Sequence, residues 1–176
     1  MSYAGKATLK EVFSNLMPYL DVPVFALETG VTYLWDEQYR PFVSTPNIVE
    51  HLVKPSIGYM VSIDISDERI NIAKDMIDYE PYDGYIGDSL EVIPKLFKYK
   101  NFFNFFWLDS CEDAEHGAEE YLLAVECSKR PYIICVDDYG CENSVKWRIS
   151  SQFIKENADE YKIYNTPTGL IAGIYK

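Results

Sequence analysis

Apolar residues recur at helical spacing near the start of the chain, where Leu9, Val12, Phe13, Leu16, Met17 and Leu20 share one face. This predicts an amphipathic helix within residues 1–20, ended by Asp21 and Pro23. A regular alternation follows, in which short apolar runs at 24–27, 59–65, 82–86, 102–108 and 132–136 read as strands. The helical patterns at 48–53, 68–77, 90–97, 118–127 and 145–156 fall after them in turn. Strands separated by helices with short connections imply right-handed crossovers and a parallel sheet covered on both faces. The rhythm breaks at the end, where two strand-like runs at 160–164 and 170–175 are joined only by Asn165-Thr166-Pro167-Thr168-Gly169, the mark of an antiparallel hairpin.

Composition narrows the picture. The 176 residues suit one domain spanning 1–176, and 48% apolar with 15% aromatic residues is too rich for a disordered chain. No apolar run approaches the roughly 20 residues of a membrane span. No apolar stretch follows the first positive charges, so a secretory signal is not expected and a cytoplasmic location is the default. A formal net charge of −12 repels a phosphate backbone, which argues against nucleic acid and for a small-molecule partner. Cys111, Cys127, Cys135 and Cys141 contain no C-x-x-C pair and read as reduced thiols, three of them core filler. A homodimer is compatible with the many tyrosines, which are common both at interfaces and on ordinary surfaces.

In an open parallel sheet, ligands bind beyond the carboxyl ends of the strands where the strand order reverses. Acidic residues end the apolar runs at each predicted parallel strand: Glu28 before Gly30, Asp64 before Ile65, Asp88 before Ser89, Asp109, and the pair Asp137-Asp138. Such carboxylates also serve as helix caps, and Asp67, Ser89 and Ser144 are read in that way. The recurrence at five successive strands is what points to a ligand site.

Five helix-separated strands followed by a terminal hairpin, with these carboxylates, resemble the class I S-adenosylmethionine-dependent methyltransferases over roughly residues 24–139. The nearest branch is the small-molecule O-methyltransferases of the catechol and caffeoyl-CoA type. The resemblance implies a Rossmann-like three-layer α/β sandwich with a mostly parallel seven-stranded sheet. It implies that Asp64 and Ile65 hold the adenosine ribose region, that Asp88 and Ser89 contact adenine, that Glu28 and Gly30 lie beneath the methionine part, and that Asp109 also belongs to the cofactor-binding set. It also implies a divalent ion such as Mg²⁺ held by Asp109, Asp137 and Asp138, with Asp109 and His116 in catalytic roles and His116 as a candidate base. A solvent-facing His at a helix start is an equal reading of His116, and His51 reads as structural. Trp35, Tyr39 and Trp147 are candidates for an aromatic substrate pocket or for ordinary packing.

The sequence departs from the family after the first strand. Only Gly30 represents the glycine-rich turn, and residues 31–42 insert a bulky stretch before Ser44-Thr45, which reads as a helix start. That insertion suits a lid over a bound ligand, and it equally suits a plug in the cofactor cleft. Methyl transfer to a small acceptor, in first place an oxygen, therefore stands beside a catalytically inactive binding or assembly module. A third reading is an enzyme that uses the same cofactor for another reaction.

Overall fold

The computed structural model describes residues 5–32, 40–96 and 101–176. Seven strands form one sheet: β1 (Phe25–Thr29), β2 (Tyr59–Asp64), β3 (Tyr82–Ile86), β4 (Phe103–Leu108), β5 (Ser128–Asp137), β6 (Glu160–Tyr164) and β7 (Leu170–Tyr175). Their order is β3-β2-β1-β4-β5-β7-β6, with β1 to β5 parallel and β7 antiparallel to both β5 and β6. The expected seven-stranded sheet with its terminal hairpin is thus observed. The order reverses between β1 and β4.

Alternation along the central strands explains the layers. On β4, Phe105 and Trp107 face one side, where they meet Val12, Phe13 and Leu16 of α1 (Leu9–Leu16) together with Ile48 and Leu52. Phe106 and Leu108 face the other, where they meet Ile93 of α4 (Ser89–Lys95), Tyr121 and Ala124 of α5 (Ala114–Cys127) and Ile154 of α6 (Trp147–Asn157). All of these side chains are buried, so each face of the sheet carries its own apolar layer.

Several boundaries differ from the sequence reading for identifiable reasons. The first helix begins only at Leu9, because Thr8 and Glu11 form a reciprocal capping box. The helix predicted at 48–53 is α2 (Ser44–Ile48), continued by a wider π-helical turn over Val49–Val53. Between β2 and β3 lies α3 (Asp67–Met76), whose cap is Ser66 rather than Asp67; the cap of α4 is Asp88 rather than Ser89. No side chain caps α6, so Ser144 does not take that part. All four cysteines are free, and two of them, Cys127 and Cys135, are buried; Cys111 is exposed and Cys141 half-buried, so the core takes two and not three.

Candidate active site

Residues 30–32, which leave β1, are tied to both neighbouring strands. The Gly30 N–H donates to Ile63 O at 2.9 Å, the Val31 N–H to Asp64 Oδ2 at 2.8 Å, and Thr32 Oγ1 to Asp109 Oδ2 at 3.4 Å. Gly30 has φ +76°, and a Cβ there would stand 2.0 Å from the Asp109 carbonyl oxygen, so this one glycine permits the close approach of the two loops. Residues 33–39, including Trp35 and Tyr39, lie outside the described residues.

Beside this turn lies a cavity of about 700 Å³ whose lining includes Gly30, Asp64, Ile65, Asp88, Ser89 and His116. It sits beyond the carboxyl ends of β1 to β4, at the reversal of strand order. Asp64 is 6% exposed, and besides the Val31 contact its Oδ1 accepts from Ser66 N at 2.8 Å. Two backbone donors leave each oxygen of that carboxylate a further lone pair for a ligand hydroxyl. Ser110 and Cys111, which follow Asp109 at the end of β4, also line the cavity, as does Arg69, which no pattern at the strand ends marks. Arg69 Nη1 stands 3.5 Å from Asp64 Oδ2, one turn into α3, and only the helix phase would have revealed it.

His116 belongs to the same wall, on the first turn of α5. Its Nε2 lies 2.9 Å from Ser89 Oγ and 3.5 Å from Oε1 of Glu120, and Asp113 caps the helix beneath it. Glu120 is 1% exposed and its Oε1 has no hydrogen-bond partner among the described residues, so the imidazolium is its natural counter-ion. That carboxylate raises the His116 pKa above the usual imidazole value, partly opposed by burial, with Asp88 and Asp113 adding to the rise. His116 therefore holds its proton more firmly than a free histidine.

Glu28 lies outside the cavity lining. It is fully buried at the end of β1, where Oε1 accepts from Ser44 Oγ at 2.6 Å and Oε2 from Thr45 Oγ1 and Ser62 Oγ, each at 2.8 Å. Burial pushes its carboxyl up to about 7, although the three hydroxyl bonds oppose that rise. Ser44 and Thr45 do begin α2, but their hydroxyls serve Glu28 instead of capping the helix, whose N-cap is Val43. Glu28 thus joins α2 to the sheet and is not turned toward the cleft.

A second polar cluster lies at the ends of β4 and β5. The Lys146 ammonium donates to Asp109 Oδ1, stands 2.9 Å from Asp138 Oδ2 and 3.6 Å from Glu112 Oε1, and its side chain is 8% exposed. Asp138 has φ +58°, a left-handed conformation that Asp tolerates, and its N–H donates to Asp137 Oδ1 at 2.9 Å. Asp137 Oδ1 also accepts from Thr168 Oγ1, at the hairpin, at 2.8 Å. Burial raises the Asp109 carboxyl well above the usual range and Asp137 to about 6.

These residues do not fit the divalent ion expected at Asp109, Asp137 and Asp138. The ammonium of Lys146 stands between Asp109 and Asp138, Asp137 is engaged by Thr168, and no group of three or more His, Cys, Asp or Glu among the described residues is arranged to hold a metal. The sequence reading missed Lys146 because nothing in its local pattern shows that it points back across α5. Trp147, next to it, packs edge-on against Tyr139 with ring centroids 5.2 Å apart and donates to Ser144 O at 3.0 Å.

The fold is shared with a large set of solved structures. The chain has the class I methyltransferase fold. An O-methyltransferase from Bacillus cereus in complex with SAH superposes with a TM-score of 0.68 at 17% identity, covering 96% of this chain and 80% of that one. Spermidine synthase from Thermotoga maritima gives 0.64 at 13% identity, covering 96% and 61%. The MycE methyltransferase from the mycinamycin pathway, in complex with Mg and SAH, gives 0.60 at 14% identity, covering 97% and 55%. This chain therefore spans less than two thirds of the length of the spermidine synthase chain. No protein-family model and no curated protein sequence matches it. No described helix is long and apolar enough to cross a membrane.

Proposed function

We propose that the chain binds S-adenosylmethionine in the cavity beside Gly30 and transfers its methyl group to a small acceptor, in first place an oxygen. The observation that carries this reading is Asp64: a buried carboxylate at the end of β2, opening onto a cavity of about 700 Å³ at the reversal of strand order. Its free lone pairs suit the two hydroxyls of a ribose. Asp88 and Ser89 stand at the end of β3 for the adenine, and Gly30 offers a close backbone approach for the methionine part.

Methyl transfer from a sulfonium needs an aligned nucleophile and little else from the protein, so positioning and exclusion of water are its main contributions. Asp109 and Asp138 border the acceptor side. Lys146 holds one oxygen of each and Thr32 the other oxygen of Asp109, so Oδ1 of Asp138 is the one to accept the hydrogen bond of an acceptor hydroxyl and take its proton as the methyl group passes from sulfonium to oxygen, with S-adenosylhomocysteine as the leaving group. His116 faces the cofactor side with Ser89, and its raised pKa suits it to donating a hydrogen bond more than to removing a proton. No step is assigned to a metal.

Calorimetric titration with S-adenosylmethionine and S-adenosylhomocysteine, with Asp64→Ala as control, tests the cofactor site. Binding that is lost in Asp64→Ala supports the reading; no binding to either compound by the wild-type chain overturns it and favours a scaffold role. Spermidine synthase shares the fold, so it hosts chemistry other than methyl transfer. Product analysis by mass spectrometry, looking for an acceptor heavier by one methylene unit, separates the two.

A further inference from the structure

We propose that Lys146 is the resident cation of the cluster at the ends of β4 and β5. It is a positioning residue standing where a divalent metal would otherwise hold Asp109 and Asp138, so the site needs no added metal. The functional consequence rests on the methyltransferase reading; the cation assignment itself does not.

Three carboxylates from three segments converge on one nitrogen: Asp109 from the end of β4, Glu112 from the loop entering α5, and Asp138 from the end of β5. An ammonium has three N–H donors; two carboxylates, Asp109 and Asp138, lie within hydrogen-bond distance, and the exposed Glu112 adds a longer ion pair at 3.6 Å. Lys146 is therefore committed, and is neither a free base nor a nucleophile. With Asp137 included, four acidic side chains surround a single positive charge. Buried carboxylates that face one another without a counter-ion are costly, and the alternative partner for such a set of hard oxygens is a divalent cation.

The backbone shows that this placement is built in. Gly117 lies inside α5, where a Cβ would stand 2.7 Å from the Lys146 carbonyl oxygen. A glycine inside a helix is a stability cost, and here it lets α5 close upon the residue that delivers the ammonium. The same carbonyl accepts from Ser150 Oγ at 3.3 Å, which fixes the first turn of α6. The chain thus spends a helical glycine on seating Lys146, as a chance surface ion pair would not require.

The test is titration with Mn²⁺, read by electron paramagnetic resonance and by thermal melting, on the wild type, Lys146→Arg, Lys146→Met and Lys146→Met/Asp138→Asn. The wild type and Lys146→Arg should bind no Mn²⁺ at this site and should melt at the same temperature with or without it. Lys146→Met should gain one Mn²⁺ per chain and melt higher in its presence, and adding Asp138→Asn should abolish both effects. Should Lys146→Met fail to fold in metal-free buffer, rescue by Mn²⁺ is the expected result and failure of rescue counts against the proposal. Mn²⁺ binding by the wild type that Asp138→Asn removes, or a folded Lys146→Met that gains no site, overturns it. None of these readouts needs the cofactor to bind, so loss of the methyltransferase reading and loss of this proposal are separately visible.

Discussion

Asp64 Oδ2 accepts the backbone N–H of Val31 at 2.8 Å, so the carboxylate that ends β2 also fixes the turn leaving β1. One side chain thereby fixes the loop and also opens onto the cavity proposed for the cofactor. Asp64→Ala should weaken binding of S-adenosylhomocysteine by at least about tenfold and lower stability by about 2 kcal/mol, since hydrogen bonds to charged groups contribute about 1.5–3 kcal/mol. Calorimetry and urea denaturation on the same preparation check the pair. Loss of affinity with stability unchanged would show that Val31 does not depend on Asp64.

Gly30→Ala should be among the most damaging small substitutions in the chain. The added Cβ meets a backbone oxygen at 2.0 Å, and φ +76° disfavours any L side chain. A cost of about 2–4 kcal/mol is expected. Gly5→Ala is the control, because it shares a positive φ of +79° but would meet nothing within 4 Å. Equal melting temperatures for the two variants would contradict the close approach of the β1 and β4 loops.

Glu28 predicts a pH dependence of stability with a definite sign. Its folded pKa, about 7, is above the ordinary carboxylate value of 4.5, so the folded chain binds more protons than the unfolded one between those limits. Its contribution is fully present below about 4.5 and is lost as pH rises through about 7. Asp109 and Asp137 act in the same direction, so the informative quantity is a difference. Denaturation of wild type and Glu28→Gln at pH 5 and pH 8 should show the smaller pH dependence in the variant. Glu28→Ala should cost about 3 kcal/mol at pH 5, where three buried hydroxyls lose their acceptor, and less at pH 8, where the proton-linked part of the Glu28 contribution is already gone.

The pairing of His116 with Glu120 is open to direct titration. The chain has two histidines, so their ring resonances are readily told apart. Glu120→Gln should lower the His116 pKa and leave that of His51 unchanged. Because the His116 pKa is raised in the fold, its stabilising contribution is complete below the ordinary imidazole value and disappears as pH rises through the raised one. An unmoved His116 resonance would mean that Glu120 is not its counter-ion.

The architecture was legible because each strand of this sheet is a compact apolar run and each helix shows its own period. The hairpin bounds, Glu160–Tyr164 and Leu170–Tyr175, agree with the runs seen in the sequence. The caps were harder, since neighbours such as Ser66 and Asp67 both carry acceptors and only backbone geometry chooses between them. Around the cavity, Asp64, Asp88 and Ser89 were readable from their position at strand ends. Glu28 follows the same pattern yet turns into the core, because the hydroxyls of Ser44, Thr45 and Ser62 converge on it. Lys146 was invisible for the opposite reason: what places it is a contact with Gly117, twenty-nine positions upstream, and no local pattern encodes that contact.

Glu28 and Asp64 grip the two ends of the stretch that separates β1 from α2: Asp64 takes Val31, and Glu28 takes Ser44 and Thr45. With both feet anchored to the sheet, whatever lies between them can lengthen, shorten or change composition without shifting the floor of the cleft. The two carboxylates therefore make the position of Asp64 beside the cleft independent of the length of the segment that joins Val31 to Ser44, and a change of length there is expected to leave the contacts of Asp64 and Glu28 as they are.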